Sequence, residues 1–166
     1  FKFINHNIYH FKRNDVWSSM YVKGAQWPDG YCIFVPKSSR SGEFADSMSI
    51  LTYMQFDEVR QWENTYATIP HHRDIRDEHY QAFKVEKAEK LISEVEKKFP
   101  HIRGCIKSYT TSTPLTYRDY IGNKDGGLYG IAKDYRDPLK TFISPTTKIP
   151  NLFFTGQNLN MHGELG

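Results

Sequence analysis

The stretch with the most chemical content lies near the end of the sequence. Asn151-Leu152-Phe153-Phe154-Thr155 reads as a continuous apolar strand buried on both faces, and Gly156-Gln157-Asn158 turns the chain at its end. Gly163-Glu164-Leu165-Gly166 then reads as an incipient helix. Strand, glycine turn and helix start are the parts found at the carboxyl edge of a nucleotide-binding sheet. Glycine lets backbone approach a phosphate or a flat ring, and a helix N-terminus favours negative charge. Tight turns after strands are common, so the pattern by itself names no ligand.

Other reactive side chains group less well. His6 and His10 sit four apart, and His71, His72 and His79 invite a metal reading, but no cysteine or carboxylate cluster completes a ligand set at the right spacing. No metal site is expected. Ser38-Ser39 and Ser41-Gly42 lie near turns without the flanking glycines of a nucleophile elbow. Trp17, Tyr21, Trp27, Tyr31, Phe34, Tyr53 and Phe56 could stud a sheet and line an apolar pocket, although such residues more often form plain core.

The elements that would carry these groups can be read in outline. Phe1 to Asp15 has no clear period and suits one strand or an ordered arm. Val16–Val22 and Tyr31–Pro36 are β-like runs separated by a Trp27-Pro28-Asp29-Gly30 turn, and Ser47–Phe56 follows as a third strand. Asp57-Glu58-Val59 can cap a short helix carrying Trp62. From about residue 75 to 98, Tyr80, Phe83, Ala88, Leu91, Ile92 and Val95 recur at helical spacing, and Pro100 ends the helix. His101–Ser112 reads as another strand with Cys105 in it, Thr113-Pro114 opens a short helix through Tyr120, and 122–130 is loop. The fold class expected is α+β, a mostly antiparallel sheet with packed helices.

The 166 residues suit one domain of ordinary size. With 39% hydrophobic and 25% charged residues and a mean hydropathy of −0.65, the composition is that of a folded globular chain. No apolar run approaches the roughly 20 residues of a membrane-spanning helix. The net charge of +3 comes from scattered residues, so no nucleic-acid partner is expected. Cys32 and Cys105, each in a β-like run, read as buried reduced thiols, which makes a cytoplasmic location the default. A start at Phe1 and a stop just after a glycine-rich turn suggest a piece of something longer.

Several motifs occur in a telling order: Tyr80-Gln-Ala-Phe-Lys84, Phe99-Pro-His-Ile102, Thr113-Pro-Leu-Thr-Tyr117, Gly126-Gly-Leu-Tyr-Gly130 and Ile149-Pro-Asn-Leu-Phe-Phe-Thr-Gly-Gln157. The series, over about residues 47 to 166, resembles the C-terminal half of the flavoprotein family that contains phytoene desaturases, carotenoid isomerases and retinol saturases. That resemblance implies an FAD-dependent oxidoreductase acting on an apolar polyene or isoprenoid-like small molecule, by desaturation, saturation or isomerisation of C=C bonds. It implies an antiparallel substrate domain, here residues 1–147, inserted into a Rossmann-like FAD domain whose returning strand and glycine turn are residues 148–166.

By the same resemblance, Thr155, Gly156 and Gln157 line the ribityl and pyrophosphate of FAD, and His162, Gly163, Leu165 and Gly166 pass the isoalloxazine ring. Tyr129 and Gly130 fall on the substrate side. No acid, base or nucleophile is singled out. None of the eleven glycines makes the Gly-x-Gly-x-x-Gly fingerprint that opens such FAD domains, so this stretch alone is expected to be inactive and to hold FAD weakly. A peripheral membrane contact of the parent protein is a further expectation. The rival reading is a non-enzymatic α+β ligand-binding or interaction module.

Overall fold

The computed structural model describes residues 1–38, 42–67 and 76–162, and the chain divides into two compact units, Phe1–Thr113 and Pro114–Gly166. The first unit is α+β. Its sheet has three antiparallel strands in the order β1 (Ile8–Phe11), β2 (Gly30–Phe34), β3 (Ser49–Thr52). The register pairs Ile8 with Ile33 and Phe11 with Gly30 on one side of β2, and Ile33 with Ile50 and Tyr31 with Thr52 on the other. Two-residue alternation puts Tyr31, Ile33 and Val35 on one face, where they meet Val95 and Ile102.

Those two residues come from helices. Helix α1 (Glu78–Glu96) starts where the Asp77 carboxylate accepts the Tyr80 N–H, and its buried residues Tyr80, Ala88, Ile92 and Val95 follow the spacing read from the sequence. Phe83 and Leu91, expected in the same stripe, are half-buried: Phe83 lies 5.5 Å from the Trp62 ring and Leu91 packs on the sheet's core. The Tyr31 hydroxyl donates to the Glu94 carbonyl at 3.2 Å, a polar tie between sheet and helix. Helix α2 (Ile102–Cys105) is a single turn entered through His101 at φ 74°.

Two expected strands of this unit need correction. Val16–Tyr21 is not a strand but a 3-10 helix, because the Asp15 carboxylate takes the N–H groups of Trp17 and Ser18 and Ser19 is buried with its hydroxyl 2.6 Å from Asp29. Trp17 and Tyr21 consequently point to solvent, 74% and 69% exposed, instead of studding the sheet. The run from Ile102 coils as α2 and continues without ladder partners, which leaves Cys105 exposed. Cys32 is half-buried in β2, and burial holds its thiol above the ordinary value. The short helix expected to carry Trp62 is present as the 3-10 helix Phe56–Trp62, which delivers Trp62 onto Tyr80 at a ring separation of 5.1 Å.

The second unit has little regular structure. Helix α3 (Pro114–Ile121) opens with proline at its first position, as read from the sequence, and a short 3-10 turn spans Pro138–Thr141. The supposed two-sided buried strand is exposed: Leu152, Phe153 and Phe154 are 48%, 65% and 54% accessible, and the ladder is the single bridge Thr146↔Phe153. An apolar run becomes a buried strand only where neighbouring strands cover it, and among the described residues only 145–147 lie alongside. No described helix is long and apolar enough to cross a membrane.

Candidate functional site

The second unit brings two separated segments together. One is 128–130, the end of a glycine-rich loop, and the other is the turn 155–162. The turn closes through the Leu159 N–H to the Gly156 carbonyl at 3.1 Å, with Gly156 at φ 115°, a conformation that side chains rarely adopt. Asn160 anchors it: its Nδ2 donates to the Ile143 carbonyl at 2.6 Å while its Oδ1 accepts the Ile143 N–H at 2.9 Å. One side-chain amide thereby does what a pair of strand hydrogen bonds would do.

On this platform Gln157 Nε2 donates to the Leu128 carbonyl at 3.5 Å, and a ring nitrogen of His162 lies 3.3 Å from the Gln157 carbonyl. The Tyr129 and His162 rings are 6.2 Å apart and tilted by 56°. Gly130, at φ 78°, faces Asn158 so closely that a Cβ there would stand 2.9 Å from both its Cα and its Oδ1. Asn158 Oδ1 is buried and accepts no hydrogen bond. An unpaired buried amide oxygen is costly, so this acceptor suits a ligand that carries an O–H or N–H.

Of the residues singled out in the sequence, Tyr129, Gly130, Gln157 and His162 form this cluster, and Gly156 sets its turn. Thr155 is exposed and leads into the turn. Gly163, Leu165 and Gly166 lie outside the described residues, as do Ser39, Ser41, His71 and His72. Asn158 and Asn160 were not singled out. Asparagines directly behind a strand-ending glycine were the available signal, since asparagine in a turn is there to hydrogen-bond backbone. Among the described residues no three His, Cys, Asp or Glu side chains stand close enough to hold a metal ion.

The chain is α+β with a glycine turn beside a buried, unpaired acceptor, and the comparisons with known proteins point to oxidoreductases. The chain is 32% identical over 90 residues to the human all-trans-retinol 13,14-reductase, covering 52% of this chain and 15% of that protein. Against the Rattus norvegicus protein of the same name it is 26% identical over 144 residues, 81% of this chain and 23% of the relative. A third, from Macaca fascicularis, is 30% identical over 90 residues, again 52% and 15%. The chain thus spans less than a quarter of the length of these relatives. No family model and no solved structure matches it.

Proposed function

We propose that this chain is the substrate-domain and cofactor-turn portion of an FAD-dependent oxidoreductase that desaturates, saturates or isomerises C=C bonds of an apolar polyene or isoprenoid-like molecule in the cytoplasm. The observation that carries the reading is the similarity to three proteins named all-trans-retinol 13,14-reductase. In this reading residues 1–147 belong to the substrate domain, and 148–166 return to the FAD domain.

Thr155, Gly156 and Gln157, with His162, Gly163, Leu165 and Gly166 beyond, are assigned to the cofactor. Tyr129 and Gly130 are assigned to the substrate side. The unpaired Asn158 Oδ1 supports this assignment, because the ribityl chain of a flavin offers hydroxyl donors. Bound flavin would supply the two-electron chemistry at the C=C bond. The residues of this chain hold and orient: the Asn160 clamp seats the turn, Gly156 leaves its outer side open, and the absence of a side chain at Gly130 lets Asn158 close in.

The test uses Gly156→Val in the full-length protein that contains this chain. Among the described residues no atom beyond the adjoining ones lies within 4 Å of a Cβ built at Gly156, so the space a valine would fill is the space proposed for cofactor. Gly122→Val is the control, since Gly122 also has positive φ and open space around it but lies outside the 155–162 turn. Both variants suffer similar backbone strain, about 1–3 kcal/mol. The flavin-to-protein ratio in the folded fraction is expected to fall for Gly156→Val and stay at the wild-type level for Gly122→Val. Equal ratios in the two variants would reject the cofactor role of the turn.

A further inference from the structure

Two buried side-chain oxygens lack a hydrogen-bond partner among the described residues, Glu58 Oε1 in the first unit and Asn158 Oδ1 in the second. Lys87 pairs with the other oxygen of Glu58, so that carboxylate keeps a counter-charge. Asn158 Oδ1 has none, and it is the acceptor that the cofactor reading uses. It is also sealed from solvent, with the Gly130 backbone so close that a Cβ there would stand 2.9 Å from the oxygen. A donor reaches Asn158 Oδ1 only after its cover moves.

The way segment 127–130 is held shows which part gives way. Its base is fixed: Gly126, at φ 64°, donates its N–H to the Asn123 carbonyl at 2.9 Å and lies against Pro114, where a Cβ would stand 2.0 Å from the carbonyl oxygen. Beyond that base, from Gly127 to Gly130, no backbone group bonds to another backbone group among the described residues. Two side-chain amides hold the segment instead, Asn123 Nδ2 on the Gly127 carbonyl and Gln157 Nε2 on the Leu128 carbonyl at 3.5 Å, the second long for a hydrogen bond. Both ends are glycine, the residue that turns at least steric cost.

We infer that residues 127–130 are a lid over Asn158, lifting from the fixed base at Gly126 to admit the cofactor and closing behind it, with the Asn123 and Gln157 amides as latches. The inference rests on the cofactor role proposed for the 155–162 turn. Tyr129 rides on the lid, and in the closed position its ring lies 6.2 Å from that of His162. A ligand held beneath a lid enters and leaves only through the open form. A change that alters nothing but the ease of opening therefore moves both rates by the same factor and leaves Kd where it was.

Flavin exchange on the full-length protein that contains this chain tests the inference, by release of radiolabelled FAD from the holoprotein into excess unlabelled FAD and by uptake of FAD into flavin-stripped protein. Asn123→Ala removes a latch outside the cofactor turn and should speed release and uptake alike, by about fivefold. Gly127→Ala acts the other way. A Cβ at Gly127 would meet only the Gly130 carbonyl oxygen, at 3.9 Å, so alanine fits the closed lid while narrowing the open form, and both rates should fall by about two- to fivefold. In each variant Kd should stay within about twofold of wild type. Gly104→Ala, in α2 of the first unit with open space around it, should change neither rate. A wild type that holds no FAD would reject the cofactor reading and the lid with it. A wild type that holds FAD, with variants whose rates match it or in which release alone changes and Kd follows, would reject the lid and leave the cofactor reading standing.

Discussion

His10 shows how a single side chain ties stability to pH. Its ring lies 4.9 Å from that of Tyr31, across the β1–β2 pair. Burial lowers its pKa, the Lys98 charge lowers it further, Lys12 and Lys97 add to that, and Glu94 works the other way. With the folded value below the unfolded one of about 6.5, the unfolded chain binds more protons through that window. His10 therefore adds stability that is complete above about pH 6.5 and is lost as pH falls through its lowered folded value. Urea midpoints measured from about pH 7.5 down to 5.5 are expected to decline, and His10→Gln should flatten the decline. An unchanged slope in the variant would count against it. Glu94 acts in a separate, more acidic window: burial raises its pKa, but Lys97 and Lys12 outweigh that and hold it low.

Among the elements, the junction of the Phe56–Trp62 turn with α1 depends on one carboxylate. Asp77 Oδ1 accepts both the Tyr80 N–H at 2.9 Å, as the helix cap, and the Trp62 indole N–H at 3.0 Å. Asp77→Ala should cost about 2 kcal/mol, from a lost cap and a buried indole donor left unpaired. Asp77→Asn keeps an acceptor oxygen in place and should recover most of that loss. The two midpoints in urea decide the matter, and an alanine variant as stable as the asparagine variant would contradict the double role.

These elements also show what the sequence could and could not disclose. Helix α1 was legible because its stripe is local: Tyr80, Ala88, Ile92 and Val95 repeat at helical spacing whatever lies across from them. The strands β2 and β3 were legible through β-branched and aromatic runs. Val16–Tyr21 was not, since its β-like composition is overridden by Asp15 and by the distant Ser19–Asp29 bond. Leu152–Phe154 misled in the opposite sense, because burial is decided by neighbours that a residue pattern does not reveal. At the candidate site, Gly156 and Gly130 could be read as backbone positions, whereas Asn160 acquires its meaning only from Ile143, far away along the chain.

At the scale of the whole molecule the two units differ in what holds them. The first has a sheet, a nineteen-residue helix and a shared core of Tyr31, Ile33, Val35, Val95 and Ile102. The second, beyond α3, relies on turns and on side chains that bond to backbone. Opening of the second unit should accordingly need less free energy than opening of the first. Amide hydrogen exchange of the full chain is expected to protect Ile92, Val95 and the β2 amides longest and to release residues 128–162 earlier; comparable protection across both stretches would refute the difference.

The Asn160 clamp turns this difference into a gauge. The Ile143 N–H is covered by the Asn160 side chain, so this hydrogen exchanges only when the clamp lets go. Its exchange rate thus counts the fraction of time for which the turn beneath Gln157 and Asn158 stands unseated. A molecule that settles only on the seated turn must slow that one hydrogen by a factor of one plus its concentration over its Kd. Occupancy of the site can therefore be followed at a single main-chain position, without colour, turnover or a label on the ligand.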